Sequence, residues 1–127
     1  MTIVRHTERA QTRGRLSKIV NRRILSAEDG ARSCELWDQI LPVGGFIVSH
    51  FHEYEEVLTF LSGRVEIVLD GIRSIVGPDT TVLISPKRIH SVENIGAEPA
   101  RILACHVAPA AEVKYPGAKP DLVEWNP

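Results

Sequence analysis

Cysteine, aromatic side chains and long apolar runs are all scarce in this 127-residue chain, and each scarcity removes a class of function. Cys34 and Cys105 are the only cysteines, and they form neither a CxxC pair nor a disulfide framework. Both read as buried, apolar-like side chains. No apolar run approaches the roughly 20 residues of a membrane-spanning helix. The opening "MTIVRHTERAQTRGR" is polar where a secretory signal needs an apolar block, so a cytoplasmic location is expected, with no membrane partner. Aromatic residues make up only 6% of the chain and none lies among Arg5, Arg9, Arg13, Arg15, Arg22 and Arg23, so this basic arm lacks the stacking platform of a nucleic-acid binder. Residues 1–23 carry seven basic side chains against the single acid Glu8, and the arm is expected to be solvated or to pair with a second copy.

With 43% hydrophobic and 24% charged residues, the composition is that of a folded chain, and the length suits one domain over residues 1–127. From Lys18 onward, short segments rich in Val, Ile, Leu and Phe alternate with turn residues, the pattern of an all-β sandwich or barrel. Nine strands are predicted: "KIVNRRIL", "SCELWDQIL", "GGFIVSHFH", "EVLTFLSG", "RVEIVLD", "IRSIV", "TVLIS", "HSVENI" and "RILACHVA". The "SGR" after Leu61 and the Asp70-Gly71 pair are both expected to join antiparallel neighbours. The tail from residue 109 to 127 reads as an extended strap, which Tyr115 and Trp125 would pin to the body or to a second subunit.

Side chains alternate along a strand, so His50 and His52 point to the same side as Phe46 and Val48. Glu56 follows a short polar turn that lets the next strand return it to the same place, and His90 opens a later strand. Three neutral imidazoles and one carboxylate suit one divalent transition metal ion (Fe, Mn, Ni, Co, Cu or Zn) rather than calcium. A metal also accounts for polar groups on inward strand positions, since buried charge is tolerated when it is paired or coordinated. Glu53 and Glu55, at the same turn, read as solvated, though a differently built turn would bring either to the place of Glu56.

Gly44, His50, His52, Glu56 and Gly63 spell G-x5-H-x-H-x3-E-x6-G, and in this the sequence resembles the cupins, small jelly-roll β-barrels. Their second motif, about G-x5-P-x-G-x2-H-x3-N, survives as His90 and Asn94. Asp79, Ser85 and Lys87 stand where that motif has glycine, proline and glycine, with Pro86 one place late. The resemblance covers about residues 34–108, leaving residues 1–30 as an N-terminal arm. It implies a double-stranded β-helix barrel, a metal held by His50, His52, Glu56 and His90, a catalytic role for Glu56, and a homodimer.

Around that centre, Tyr54 is expected at the cavity mouth and Phe46 and Phe60 in the cavity wall. Lys87 and Arg88 are placed to attract an anionic substrate. His106 shares parity with Ile102 and Ala104, so it joins the substrate-facing set if that face is inward; His6 reads as an ordinary surface histidine. No HExxH helix, G-x-S-x-G elbow or P-loop competes, and the adjacent Cys105 and His106 point to opposite faces of a strand. The expected activity is that of a metal-dependent enzyme on a small organic molecule, dioxygenase-like and resembling quercetinase-type cupins. A metal-dependent isomerase or lyase and a non-catalytic ligand-binding module are the alternatives.

Overall fold

The computed structural model describes residues 1–118. Trp125 and the rest of the expected strap beyond residue 118 lie outside them. Among the described residues ten strands follow one another: β1 (Gln11–Arg13), β2 (Val20–Leu25), β3 (Glu35–Leu41), β4 (Phe46–His50), β5 (Glu56–Ser62), β6 (Val65–Leu69), β7 (Ile72–Val76), β8 (Thr80–Ile84), β9 (His90–Asn94) and β10 (Ala100–His106). They form two antiparallel sheets, one ordered β1-β2-β3-β10-β5-β8 and the other β4-β9-β6-β7. No helix among the described residues is long and apolar enough to cross a membrane.

Alternation builds the core. Leu58 and Phe60 on β5 and Ala100, Ile102 and Ala104 on β10 occupy every second position. They pack with Leu41, Val65, Ile67, Ile84 and Val92 from the other strands. Small residues on β10 let the sheets approach where the larger Phe60 fills the interior, as close packing requires.

Two turns behave differently from one another. Asp70 and Gly71 both have positive φ, 47° and 82°, the backbone of a two-residue hairpin joining β6 to β7. The turn at Gly63, expected to close a hairpin, instead carries the chain from one sheet to the other, because β5 and β6 are not paired. Its φ is +88°, and a Cβ there would stand 2.5 Å from the Cα of Ala100. Glycine at this position turns a corner of the sandwich against β10.

The basic arm forms an edge strand of its own chain: β1 pairs with β2 through Gln11–Arg22, Thr12–Asn21 and Arg13–Val20. Arg22 donates to the His6 carbonyl at 3.2 Å and reaches the Asp38 carboxylate at 3.1 Å. Arg101 on β10 approaches the same carboxylate through two nitrogens, at 3.1 and 3.2 Å. Asp38 thereby ties β2, β3 and β10 together on the face away from the core, with a side chain only 1% exposed.

Burial works to raise the Asp38 pKa, but the Arg101 and Arg22 guanidiniums outweigh it and hold the carboxyl below its ordinary 3.8. A depressed folded-state pKa adds stability that is fully present above the ordinary value and is lost as pH falls through the folded one. Asp38→Asn is expected to cost about 1–2 kcal/mol near neutral pH, with solvent screening of half-exposed Arg101 setting the upper end. The gap between wild type and variant in urea titrations should close below pH 3.8; a gap independent of pH would show that the charge is not the stabilising feature.

Asp79 and Lys87, which replace motif glycines, keep a glycine-like backbone with φ of 59° and 67°. Lysine in the left-handed region costs about 1–2 kcal/mol, and glycine loses about 0.5–1 kcal/mol more chain entropy on folding. Among the described residues, the only ion pair at Lys87 is an exposed 3.9 Å approach to Glu53, which contributes little. Lys87→Gly is therefore expected to raise stability by about 0.5–1 kcal/mol in thermal or urea unfolding, and a loss would refute the strain.

Candidate metal centre

Strand ends assemble the site. His50 closes β4, Glu56 opens β5, His90 opens β9 and His106 closes β10. His50 and His90 are register partners in one sheet, and Glu56 and His106 are partners in the other. His52 stands just past β4, where Phe51 pairs with Lys114 through N–H···O bonds of 2.9 and 3.0 Å. One ligand atom from each of His50, His52, Glu56 and His90 lies within 4.8 Å of the others, and all four residues are buried.

The backbone fixes how the imidazoles are protonated. Nδ1 of His50 lies 2.7 Å from the Val48 carbonyl, Nδ1 of His52 2.6 Å from the Glu112 carbonyl, and Nδ1 of His90 2.9 Å from the Arg88 carbonyl. A carbonyl oxygen only accepts, so each Nδ1 carries the proton and each neutral ring turns an Nε2 lone pair inward. These carbonyls also orient the rings, as partners behind metal-binding histidines do.

Lone pairs that converge on a carboxylate repel one another unless a cation lies among them. His90 Nε2 is 3.1 Å from Glu56 Oε1 and His52 Nε2 is 3.5 Å from the same oxygen. Among the described residues, His52 Nε2 is buried without a hydrogen-bond partner. An orphaned buried nitrogen beside two further lone pairs and a carboxylate is a donor set that fits one divalent transition metal.

Without the metal, the electrostatics show the same conflict. Burial, followed by the neighbouring His90, pulls His50 down to about 4. Burial also works against the His52 cation, yet the adjacent Glu56 carboxylate prevails and raises its pKa. For Glu56, burial opposes ionisation, but His52 and His90 outweigh it and keep the carboxyl well below the usual carboxylate range.

His106 plays a different part from the three converging histidines. Its Nε2 lies 3.1 Å from Glu56 Oε2, the oxygen turned away from His52 and His90. Its Nδ1 faces the Tyr54 hydroxyl at 2.9 Å, and burial lowers its pKa. Tyr54 also accepts from the Glu112 amide at 2.8 Å and approaches the Glu112 carbonyl at 3.1 Å. Burial, with help from nearby carboxylates, pushes the phenol up to about 12, so it stays protonated and able to donate.

Above this floor, a cavity of about 110 Å³ is lined largely by apolar side chains, including Phe46, Val48, Leu58, Val92 and Val113. His106 and the four clustered residues face it. Phe60 sits in the hydrophobic core, 1% exposed, rather than in the cavity wall. Tyr54 is turned to His106 and the strap. Lys87 and Arg88 are exposed and engage Glu53 and Asp70. Glu53 also pairs with Lys114 at 3.2 Å, so Glu56 is the carboxylate of its turn that reaches the cluster. Sequence reasoning missed Asn21, Gln39 and Ser17 on the cavity wall. Inward parity of Gln39 with Trp37 and Leu41 was the available signal.

Titrated with Co(II) or Zn(II), the metal-free protein is expected to bind one ion per chain. His50→Ala, His52→Ala and His90→Ala should each abolish stoichiometric binding while keeping the wild-type circular dichroism. Ending the chain after Ala110 removes the Glu112 carbonyl but no ligand, and should weaken binding about 10- to 100-fold. Undiminished affinity in that shortened chain would show that the strap does not hold His52.

Comparison with known proteins agrees with this geometry. The sequence profile described as "Cupin domain" matches residues 37–106. An uncharacterized protein of Methanocaldococcus jannaschii is 39% identical over 75 residues, covering 58% of this chain and 60% of that protein's length. Among solved structures, the polyketide cyclase RemF of Streptomyces resistomycificus superposes with a TM-score of 0.79 at 22% identity, over 96% of this chain and 89% of the other. A protein of Thermotoga maritima described as a predicted oxalate decarboxylase superposes with a TM-score of 0.74 at 21% identity, over 84% of this chain and 98% of the other. Strand order, clustered histidines and a profile match over more than half the sequence lead to one conclusion: the chain belongs to the cupin domain family.

Proposed function

We propose that this cupin is a mononuclear metal-dependent enzyme acting on a small, largely apolar organic molecule, with a dioxygenase-like reaction as the first reading. The observation that carries it is the convergence of three Nε2 lone pairs and the Glu56 carboxylate on the floor of an apolar cavity. His50, His52, Glu56 and His90 would hold the ion. Bound there, a transition metal supplies Lewis-acid polarisation or redox chemistry to an oxygen-bearing substrate.

The protein's own residues supply the rest. Phe46, Val48, Leu58 and Val92 exclude water from the substrate's apolar body, which strengthens every charge interaction at the floor. In this reading Glu56 serves as the base on detaching from the ion. Its Oε2 is held by His106, and His106 is held by Tyr54, so the carboxylate is fixed before substrate arrives. The preference for apolar molecules follows from the walls and from the outward placement of Lys87 and Arg88, which makes an anionic substrate the less favoured class.

A non-oxidative reaction is the second reading, a ring closure, isomerisation or lyase step. What favours it is the match with the polyketide cyclase, which extends over nearly the full length of both chains. Pairing of two copies belongs to the same proposal, supported by Ile72 and Ile75, which are exposed on the edge strand β7. A cytoplasmic setting is also part of it.

Protein purified without a metal-affinity column should contain close to one equivalent of transition metal by elemental analysis. Incubated with phenolic and flavonol substrates in an oxygen electrode, it is expected to consume oxygen in step with product. Turnover that continues under anaerobic conditions would end the dioxygenase reading and establish the non-oxidative one. Tight retention of substrate without turnover in either atmosphere would leave a binding module.

A further inference from the structure

Away from the histidine cluster, one polar atom in the cavity wall has no hydrogen-bond partner among the described residues. Asn21 is 3% exposed, lines the same cavity as the histidine cluster, and its Oδ1 is buried without a hydrogen bond to any of the described residues. Leaving a buried acceptor unpaired costs about 1–3 kcal/mol, which a chain does not sustain on an apolar wall for packing alone. Leucine has nearly the same shape and would fill the position at no such cost.

The fold shows where this atom stands relative to the metal ligands. Asn21 on β2 is the register partner of Gln39 on β3, so a second amide projects beside it, and Gln39 also lines the cavity. Glu35, four residues before Gln39 on β3, is the partner of His106, which in turn is the partner of Glu56. Four strand residues span about 13 Å. The cavity therefore has two polar ends, the histidine cluster and the amide pair, separated by apolar side chains such as Ile19, Trp37, Ile47 and Leu58.

We propose that Asn21, with Gln39 beside it, is the specificity-determining end of the cavity: it accepts a hydrogen bond from a hydroxyl on the far end of a substrate whose near end carries oxygen to the histidine cluster. The substrate class is then an elongated, mostly apolar molecule with a metal-binding oxygen function at one end and a hydroxyl at the other. This rests on the metal-dependent reading above. An acceptor prepared in the apolar wall discriminates strongly against an analogue that lacks the hydroxyl, because that analogue leaves the amide oxygen unpaired.

The test uses Co(II)-loaded full-length protein and matched aryl hydroxamates, which bind metal at one end. The pairs are para-hydroxy- and para-methylbenzohydroxamate and the corresponding naphthyl pair, which is one ring longer. Wild type is expected to bind the hydroxy member of at least one pair about five-fold or more tightly than its methyl partner. Asn21→Leu should lose that preference while the cobalt spectrum still responds to both members. In the absence of ligand, Asn21→Leu should unfold at the same temperature as wild type or higher, since it removes an unsatisfied acceptor.

Hydroxamates that perturb the cobalt spectrum but show no hydroxyl preference at either length would overturn the assignment and leave the metal centre standing. So would a preference that survives in Asn21→Leu, or a marked fall in that variant's ligand-free melting temperature, which would make Asn21 a structural residue. If cobalt does not bind, or no hydroxamate alters its spectrum, the metal-dependent reading fails first and the assignment fails with it.

Discussion

Three buried imidazole lone pairs aimed at one carboxylate on the floor of a largely apolar cavity form the interaction on which the rest of this structure depends. Each ring is turned inward by a carbonyl behind it, so the mutual repulsion at the centre is built in and a cation held there would relieve it. The two sheets bring this about with strand ends. The pairs His50–His90, reached past a register shift after Ile47, and Glu56–His106 are cross-strand neighbours, one pair from each sheet, and the distance between the sheets at that end becomes the size of the site.

The C-terminal strap is part of the same construction, although it lies beyond the matched cupin region. Its Glu112 carbonyl orients His52, its Glu112 amide and carbonyl engage Tyr54, and its Ala111 amide reaches Glu35 at 3.3 Å. Val113 and Tyr115 close the cavity from the same segment. A single stretch of backbone therefore serves imidazole orientation, carboxylate position and cavity enclosure together. Disturbing it would alter all three.

What was readable in the sequence followed from period and spacing. Alternating apolar residues marked nine of the ten strands, and the spacing of His50, His52 and Glu56 with a distant His90 marked the cluster. The missed strand, β1, has only Gln, Thr and Arg, with no apolar alternation, and it forms because β2 offers an edge. Gly63 looked like a hairpin turn because positive φ is legible in a glycine, whereas which sheet the next strand joins is a tertiary choice. Phe60 and Phe46 share a strand-like apolar context, and only the packing of β5 against β10 sends Phe60 to the core and leaves Phe46 on the cavity. Asn21 was invisible for a related reason: its significance lies in a partner that is missing, and a sequence does not show absent contacts.

The loop before His90 shows how strongly the centre governs its surroundings. Asp79 and Lys87 stand where the second cupin motif has glycine, and both keep the left-handed backbone that glycine would adopt without strain. Local preference and global geometry conflict there, and the global geometry prevails. The Lys87 amide donates to the His52 carbonyl at 2.7 Å, and the Arg88 carbonyl orients His90. Relaxing Lys87 into an ordinary conformation would displace the backbone support of His52 and His90 at once. The strain is held because moving that loop would pull apart two of the four residues that meet at the centre, a larger cost than one unfavourable dihedral.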